Sequence, residues 1–417
     1  MKRIGFILLL ASIAHAEPLT LAKAIDIALT NNPQTRTTWL QARAAEAELG
    51  ASKSAYLPEI DINATAGRTR TSQAATTSFT PSVALSYLLF DFGGREAEVE
   101  QARQTLAAAN FIHDQAIQDV ILRTEQAYYD YLDAKALLAA QASTVQERRT
   151  SLDAADARHN AGVATIADVL QARTALSQAE LNRESIEGQL RIIEGTLATV
   201  LGSPATTRYE FGDLPLDVPA QHVTEQVEEL ITRATAGRPD LAATRAEAER
   251  AHARIQQVRA EGLPSFVINS NAGRSIVSGG RSFTPYSAVV AMRFPVFTGF
   301  RNTYDVRAAQ IEADLAKENV RSLEQQVGLQ VWTSYYSLQT ATQRLTTSRD
   351  LLASAQQSAD VARDRYKAGV GNILDVLTAE AALESARAQE VQARADWFLA
   401  VAQLAHDTGT LNQEATK

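Results

Sequence analysis

Two aspartates are distinguished by where they stand. Asp168 and Asp375 occupy the same place in two near-copies of one segment, HNAGVATIADVLQARTALSQA at 159–179 and YKAGVGNILDVLTAEAALESA at 366–386. A carboxylate in the first turn of a helix complements the partial positive charge of the helix N-terminus. Tyr366, which opens the second copy, supplies a hydroxyl that a carboxylate can accept from. Other chemistry is not written in the chain. His15, His113, His159, His222, His252 and His406 are scattered, without metal-ligand spacing. There is no cysteine, which excludes thiolate metal sites, disulfides and lipid-modified cysteine. Gly-x-Ser-x-Gly and phosphate-binding loops are also missing. No enzyme activity, metal or cofactor is therefore expected, and the glutamates and arginines of the helices read as solvated faces with i to i+4 pairing.

The elements that place these aspartates are bounded by composition. Lys2, Arg3, a short apolar run over 4–13 and Ala14-His15-Ala16 read as a secretory signal at 1–16, the alternative being an N-terminal anchor. The formal net charge is −8, and −10 without Lys2 and Arg3, which excludes a nucleic-acid partner. Beyond residue 16 no apolar run reaches the length of a transmembrane helix, so membrane entry would have to use β-strands closed into a barrel.

The chain is one unit written twice. A shift of 207 pairs 158–179 with 365–386 and makes 12 of those 22 positions identical. Tyr128-Tyr129 then falls on Tyr335-Tyr336. At a shift of 206, LPEIDINATAGR at 57–68 falls on LPSFVINSNAGR at 263–274. The expected organisation is a first repeat within 17–202, a linker over 203–222, a second repeat over 223–409 and a tail over 410–417.

Each repeat predicts the same order. A helical opening leads to a helix ending before Leu57-Pro58 or Leu263-Pro264, because proline disfavours helical dihedrals in the residue before it. Two alternating strands follow: Ile60, Ile62, Ala64 and Ala66 then Val83, Leu85, Tyr87 and Leu89 in the first copy; Phe266 and Ile268 then Ala288 through Val296 in the second. RTRTSQAATTS and SIVSGGR read as polar loops. Residues 95–161 contain no glycine or proline, and 301–368 contain only Gly328, so each predicts a helix of about 100 Å at 1.5 Å per residue. Ala161-Gly162-Val163 and Ala368-Gly369-Val370 end them, and return helices start at Ile166 and Ile373.

Four strands cannot close a membrane barrel, since the smallest usual barrel has about eight. The chain must then oligomerise: three copies give twelve strands and gather the long helices into a tube. Tyr56, Phe79, Tyr87, Phe90, Phe283, Tyr286 and Phe294 cluster at the strands and their ends, as barrel aromatic belts do. A soluble β-sandwich, or a soluble periplasmic coiled-coil adaptor or scaffold, is the competing reading.

The duplicated order, with LTLAKAIDIALTNNP, YLPEI, LLFDFGGR, RPDL and RYKAGVGNILDVLTAEAAL, resembles the TolC-type outer membrane efflux protein family. The resemblance covers essentially the whole chain after residue 16. It implies a mainly α fold with transmembrane β-strands: long α-helical hairpins forming a periplasmic α-barrel, and four strands per protomer in a trimeric 12-stranded outer-membrane β-barrel. It also implies a homotrimer that passively conducts substrate of a tripartite efflux or type I secretion system. Its partners would be a periplasmic adaptor, an inner-membrane pump and outer-membrane lipid. On the same basis the turns Ala161, Gly162, Val163 and Ala368, Gly369, Val370 dock the adaptor, and Asp375 joins a carboxylate ring at the periplasmic constriction. Asp168 and Tyr366 fall where closing contacts are made. A second acidic ring of some members falls on Thr378, and a latching arginine falls on Gly371, so a closed state here must be held differently.

Overall fold

A computed structural model describes residues 19–70, 75–216, 218, 226–279 and 281–411. The expected signal at 1–16, residues 217 and 219–222 of the linker, His222 among them, and most of the C-terminal tail lie outside these residues. The first half runs α1 (Leu21–Asn31), α2 (Pro33–Lys53), β1 (Glu59–Arg70), β2 (Ala75–Phe90), α3 (Gly94–Asn160) and α4 (Ile166–Val200). The second runs α5 (Val227–Gly237), α6 (Pro239–Glu261), β3 (Ser265–Gly273), β4 (Ser275–Val277), β5 (Arg281–Phe283), β6 (Tyr286–Arg293), α7 (Arg301–Lys367) and α8 (Ile373–Asp407).

The helix boundaries follow from local chemistry. Pro33 and Pro239 begin α2 and α6 at the position where a missing N–H costs nothing. Both α3 and α7 are 67 residues long, and their glycine-poor, proline-free sequences leave nothing to interrupt them. Among the described residues no helix is long and apolar enough to cross a membrane.

The residues divide into two compact units, each drawing on both halves of the chain. One holds the chain up to Thr35, Ile117–Ala234 and everything from Gln330 onward. Its core packs Ala24, Val120, Leu132, Leu197, Leu201 and Phe211, beside a second cluster around Ile25, Ile121 and Ala402.

The other unit, Arg36–Ala116 with Thr235–Leu329, carries the sheet. β1, β2, β3 and β6 pair antiparallel in that order, with Ile62 opposite Val83, Val83 opposite Ala272 and Ile268 opposite Val290. Three expectations need correction. RTRTSQAATTS is strand at both ends, since β1 runs through Arg70 and β2 starts at Ala75, with 71–74 outside the described residues. SIVSGGR is not wholly loop: β4 and β5 pair as a short hairpin, with Ile276 opposite Phe79 on β2. The alternation through Phe294 and Val296 does not extend β6, which ends at Arg293, because Pro295 has no N–H for the ladder.

Side chains sort mainly by polarity across this sheet, since facing residues of paired strands share a side, with Leu88, Val267 and Val289 on the more polar face and Arg68, Arg70 and Ser270 on the more apolar one. Ile60, Ile62, Ala64, Ala66, Leu85, Val83, Phe79, Ile268, Val290 and Tyr286 share one face. Asp61, Asn63, Thr65, Thr80, Ser82, Ser86, Asn269 and Asn271 share the other. A sheet apolar on one face and polar on the other, with the apolar face exposed, matches a barrel whose outside meets lipid and whose inside meets water.

Candidate functional site

The long helices end identically. Gly162 and Gly369 take φ of 76° and 79°, the left-handed region that side chains resist. The N–H of Val163 donates to the Arg158 carbonyl at 3.0 Å and that of Gly162 to His159 at 2.8 Å; in the second copy Val370 donates to Arg365 at 3.0 Å and Gly369 to Tyr366 at 3.1 Å. Both are Schellman terminations, so sequence identity at the turns is identity of backbone chemistry. Ala161, Gly162, Val163, Ala368, Gly369 and Val370 are all exposed.

The return helices start on caps. Thr165 Oγ1 accepts the Asp168 N–H at 3.3 Å and Asp168 Oδ2 accepts the Thr165 N–H at 3.2 Å, a reciprocal capping box. Asn372 Oδ1 accepts the Asp375 N–H at 2.8 Å, but no return bond uses the Asp375 carboxylate. Asp375 is exposed, as is Thr378 one turn on. Between the tips, Ala155, Val169 and Ala172 pack against Tyr366, Ile373 and Val376. Both hairpins thus share one small apolar core.

The closing hydrogen bond expected between Tyr366 and Asp168 is not made. The Asp168 carboxylate is engaged in its own cap, and the buried Tyr366 hydroxyl has no hydrogen-bond partner among the described residues. Burial pushes the phenol pKa up; Arg158 pulls it down and Asp168 adds to the rise. What crosses between the tips is Arg158. Its guanidinium lies 4.6 Å from the Tyr366 ring centroid and its Nη1 donates to the Tyr366 carbonyl at 2.5 Å. An arginine from the first hairpin therefore bridges the two tips. The other turn is closed from within, by His159 Nδ1 donating to the Ala164 carbonyl at 3.1 Å.

A second link lies deeper and corrects the reading of the helix charges as solvated. Glu380 on α8 and Arg148 on α3 are buried, with side-chain exposures of 0% and 5%. Arg148 Nη1 donates to Glu380 Oε2 at 3.0 Å and to the Leu377 carbonyl at 3.1 Å, and Ser151 Oγ donates to Glu380 Oε1 at 2.7 Å. Arg363 Nε of α7 stands 3.5 Å from Glu380 Oε1. Arg387 grips Glu147 with two bonds of 3.0 and 2.9 Å. Burial raises the Glu380 pKa, against the lowering effects of Ser151, Arg148 and Arg363. This clasp ties the first hairpin to the second. Its signal in the sequence is positional: Glu380 falls in the apolar series Ile373, Val376, Leu383, and Arg148 falls between Val145 and Ala155, so both sit on packed seams.

The sequence model for "Outer membrane efflux protein" matches residues 24–203 and 230–410, one match per half. The chain belongs to that family. Protein CyaE of Bordetella pertussis is 28% identical over 386 residues, covering 90% of this chain and 81% of that protein. Outer membrane protein TolC of Escherichia coli K12 is 23% identical over 425 residues, covering 97% and 84%. The solved outer-membrane channel OprN superposes with a TM-score of 0.85 at 18% identity, over 94% of this chain and 90% of that one. The chain is thus an outer-membrane channel protein of the efflux and secretion class, mainly α with transmembrane strands in a two-repeat fold. Its place is the outer membrane with an extension into the periplasm. The soluble adaptor or scaffold alternative finds no support in these relatives.

Proposed function

We propose that the protein works as a homotrimeric exit duct. It receives substrate from an inner-membrane pump through a periplasmic adaptor and conducts it passively outward. The observation that carries this reading is the pair of open sheet edges. β1 and β6 are exposed along their whole lengths and each has one free edge, a liability that closure by further copies removes. Four long strands per chain, taken three times, give a twelve-stranded barrel, within the range of outer-membrane barrels. The two repeats, 17–202 and 223–409, then each bring one helical hairpin to the periplasmic mouth.

At that mouth the exposed turns Ala161-Gly162-Val163 and Ala368-Gly369-Val370 suit adaptor docking: small residues allow close approach, and each presents one exposed valine. Asp375, held at its helix start by Asn372 but with a free carboxylate, is the aperture residue; Thr378 lines the next turn without adding charge. Three symmetric carboxylates would repel anions and attract cations. The Arg158 bridge and the Arg148–Glu380 clasp hold the hairpins of one protomer together in the closed state, with Asp168 and Tyr366 supporting the tip through a cap and through packing. The reading predicts three times the protomer mass in detergent and discrete conductance in planar bilayers. A non-conducting monomer would refute it.

A further inference from the structure

The polar edge of the sheet carries a charge pattern that conduction does not need. From Ile62 to Phe90 and from Gly262 to Tyr304 the sequence contains no aspartate or glutamate. It does contain Arg68 and Arg70 at the loop end of β1 and Arg274 just after β3, all three exposed. Among the described residues none of the three makes an ion pair.

Position sharpens the point. Arg68 and Arg70 continue the even-numbered series Ile60, Ile62, Ala64, Ala66 and lie opposite Thr77 and Ala75, so they share the apolar face, not the polar one. Phe79, opposite Ala66, stands on the same face one step below Arg68. Height agrees as well. From Glu59 to Arg68 is nine residues, about 31 Å along a strand at roughly 3.4 Å each. At a barrel tilt of about 40° this is about 23 Å along the membrane normal, close to the roughly 25 Å apolar band of outer-membrane barrels. The arginines emerge one hydrocarbon thickness above the start of β1, on the side that faces lipid, next to the aromatic ring of Phe79.

We propose that Arg68 and Arg70 bind the phosphate groups of the phosphorylated glycolipid in the outer leaflet. This rests on the channel reading above. The guanidinium fork matches phosphate geometry and stays charged at any relevant pH. An acid-free surround leaves nothing in the protein to neutralise it. A lumenal role in steering anionic cargo would instead place the charges on the Thr65–Asn271 face.

The test uses the purified full-length protein in dodecyl maltoside, with bis-phosphorylated lipid A as probe and dephosphorylated lipid A as its match. Bound lipid is counted by native mass spectrometry, and conductance is recorded on the same preparations. The wild type should bind the phosphorylated form at least tenfold more tightly. Arg68→Gln/Arg70→Gln should lose that preference with conductance intact, and Arg68→Lys/Arg70→Lys should keep part of it. Equal binding of both lipids by a conducting wild type would overturn the lipid site and leave the channel standing. So would a double glutamine variant that still prefers the phosphorylated form. Competition by millimolar inorganic phosphate as effective as that by the lipid would also overturn it, since the face would then be a general anion surface. A wild type that is neither trimeric nor conducting would overturn the channel reading and this proposal together.

Discussion

Arg148→Met places the heaviest demand on the clasp. The substitution keeps an unbranched side chain of similar length but removes the donor to Glu380 and to the Leu377 carbonyl. Glu380, with no exposed side-chain surface, is left with the Ser151 hydroxyl and Arg363 at 3.5 Å. Breaking a buried pair from one side costs roughly 3–5 kcal/mol when the surviving charge has no escape. Here it has one, because it can take a proton. From an ordinary value of 4.5, holding a carboxyl protonated costs about 3 kcal/mol at pH 7 and about 0.7 kcal/mol at pH 5. Protonation therefore caps the loss, and Arg363 lowers it further. The packed state should lose about 2–3 kcal/mol at pH 7 and less than about 1 kcal/mol at pH 5.

If the clasp holds the hairpins closed, that loss appears as a shift of about 30- to 150-fold in the closed-to-open ratio at pH 7. It is read as open-channel occupancy in planar bilayers and should largely vanish at pH 5. The companion variant Arg148→Met/Glu380→Leu removes both charges and should close again, since replacing a buried ion pair by apolar groups is often neutral. Unchanged occupancy in the single variant, together with a lowered melting temperature, would show that the clasp stabilises the fold without gating it. A double variant as open as the single one would refute the desolvation argument.

Three further outcomes follow from single groups. Asp375→Asn should weaken block by polyvalent cations added from the periplasmic side by at least tenfold, while Thr378→Ala should leave it unchanged; equal block in wild type and Asp375→Asn would remove the carboxylate from the aperture. Glu125 is pushed up to about 7 by burial, so its charged form is disfavoured in the fold and stability falls as pH rises through 7. Glu125→Gln should raise stability at pH 8 by up to about 3 kcal/mol, with no gain at pH 4, measured by denaturant titration. Burial lowers the His406 pKa, but hydrogen bonds and charge from Asp119 and Asp407 more than reverse this, to about 9. A raised histidine contributes fully below 6.5 and is lost as pH climbs through 9. His406→Gln should therefore cost about 3 kcal/mol at pH 6 and almost nothing at pH 10.

Much of the fold was legible because it is periodic and repeated. Helices without glycine or proline, strands alternating at period two, and a glycine in a twice-written turn are each local signals, and the backbone follows them. The short β4–β5 hairpin was not legible. Ile276 and Val277 flanked by serine and glycine are too few for an alternating pattern, and only pairing with Phe79 and Ser78 on β2 makes them a strand. The tip was legible as a place but not as a set of contacts. Asp168 and Tyr366 are near enough for one charge to affect the other's titration, yet the cap claims the carboxylate and Arg158 covers the ring.

The clasp was hidden for a reason that the duplication itself supplies. Where the two copies do the same task they agree: Gly162 and Gly369, Val163 and Val370, Arg158 and Arg365. At the joint they differ: Glu380 meets Arg148, Ser151 and Arg363, and Arg387 meets Glu147, each a contact made by one copy's residue and not by its counterpart. At the shift of 207, Glu380 corresponds to Arg173, Arg363 to Asp156, Arg387 to Glu180 and Arg148 to Ala355. In three of these four pairs the charge is reversed and in the fourth it is lost. A search for identity between the halves finds the turns and passes over the joint. The same comparison read for opposition includes Glu380, Arg363 and Arg387, which belong to the network that joins α3 to α7 and α8, alongside reversals outside it such as Glu100 with Arg307 and Asp114 with Arg321. In this duplicated chain, identity between the repeats marks the shared turn, while the buried charges that join the hairpins stand at positions where the copies differ.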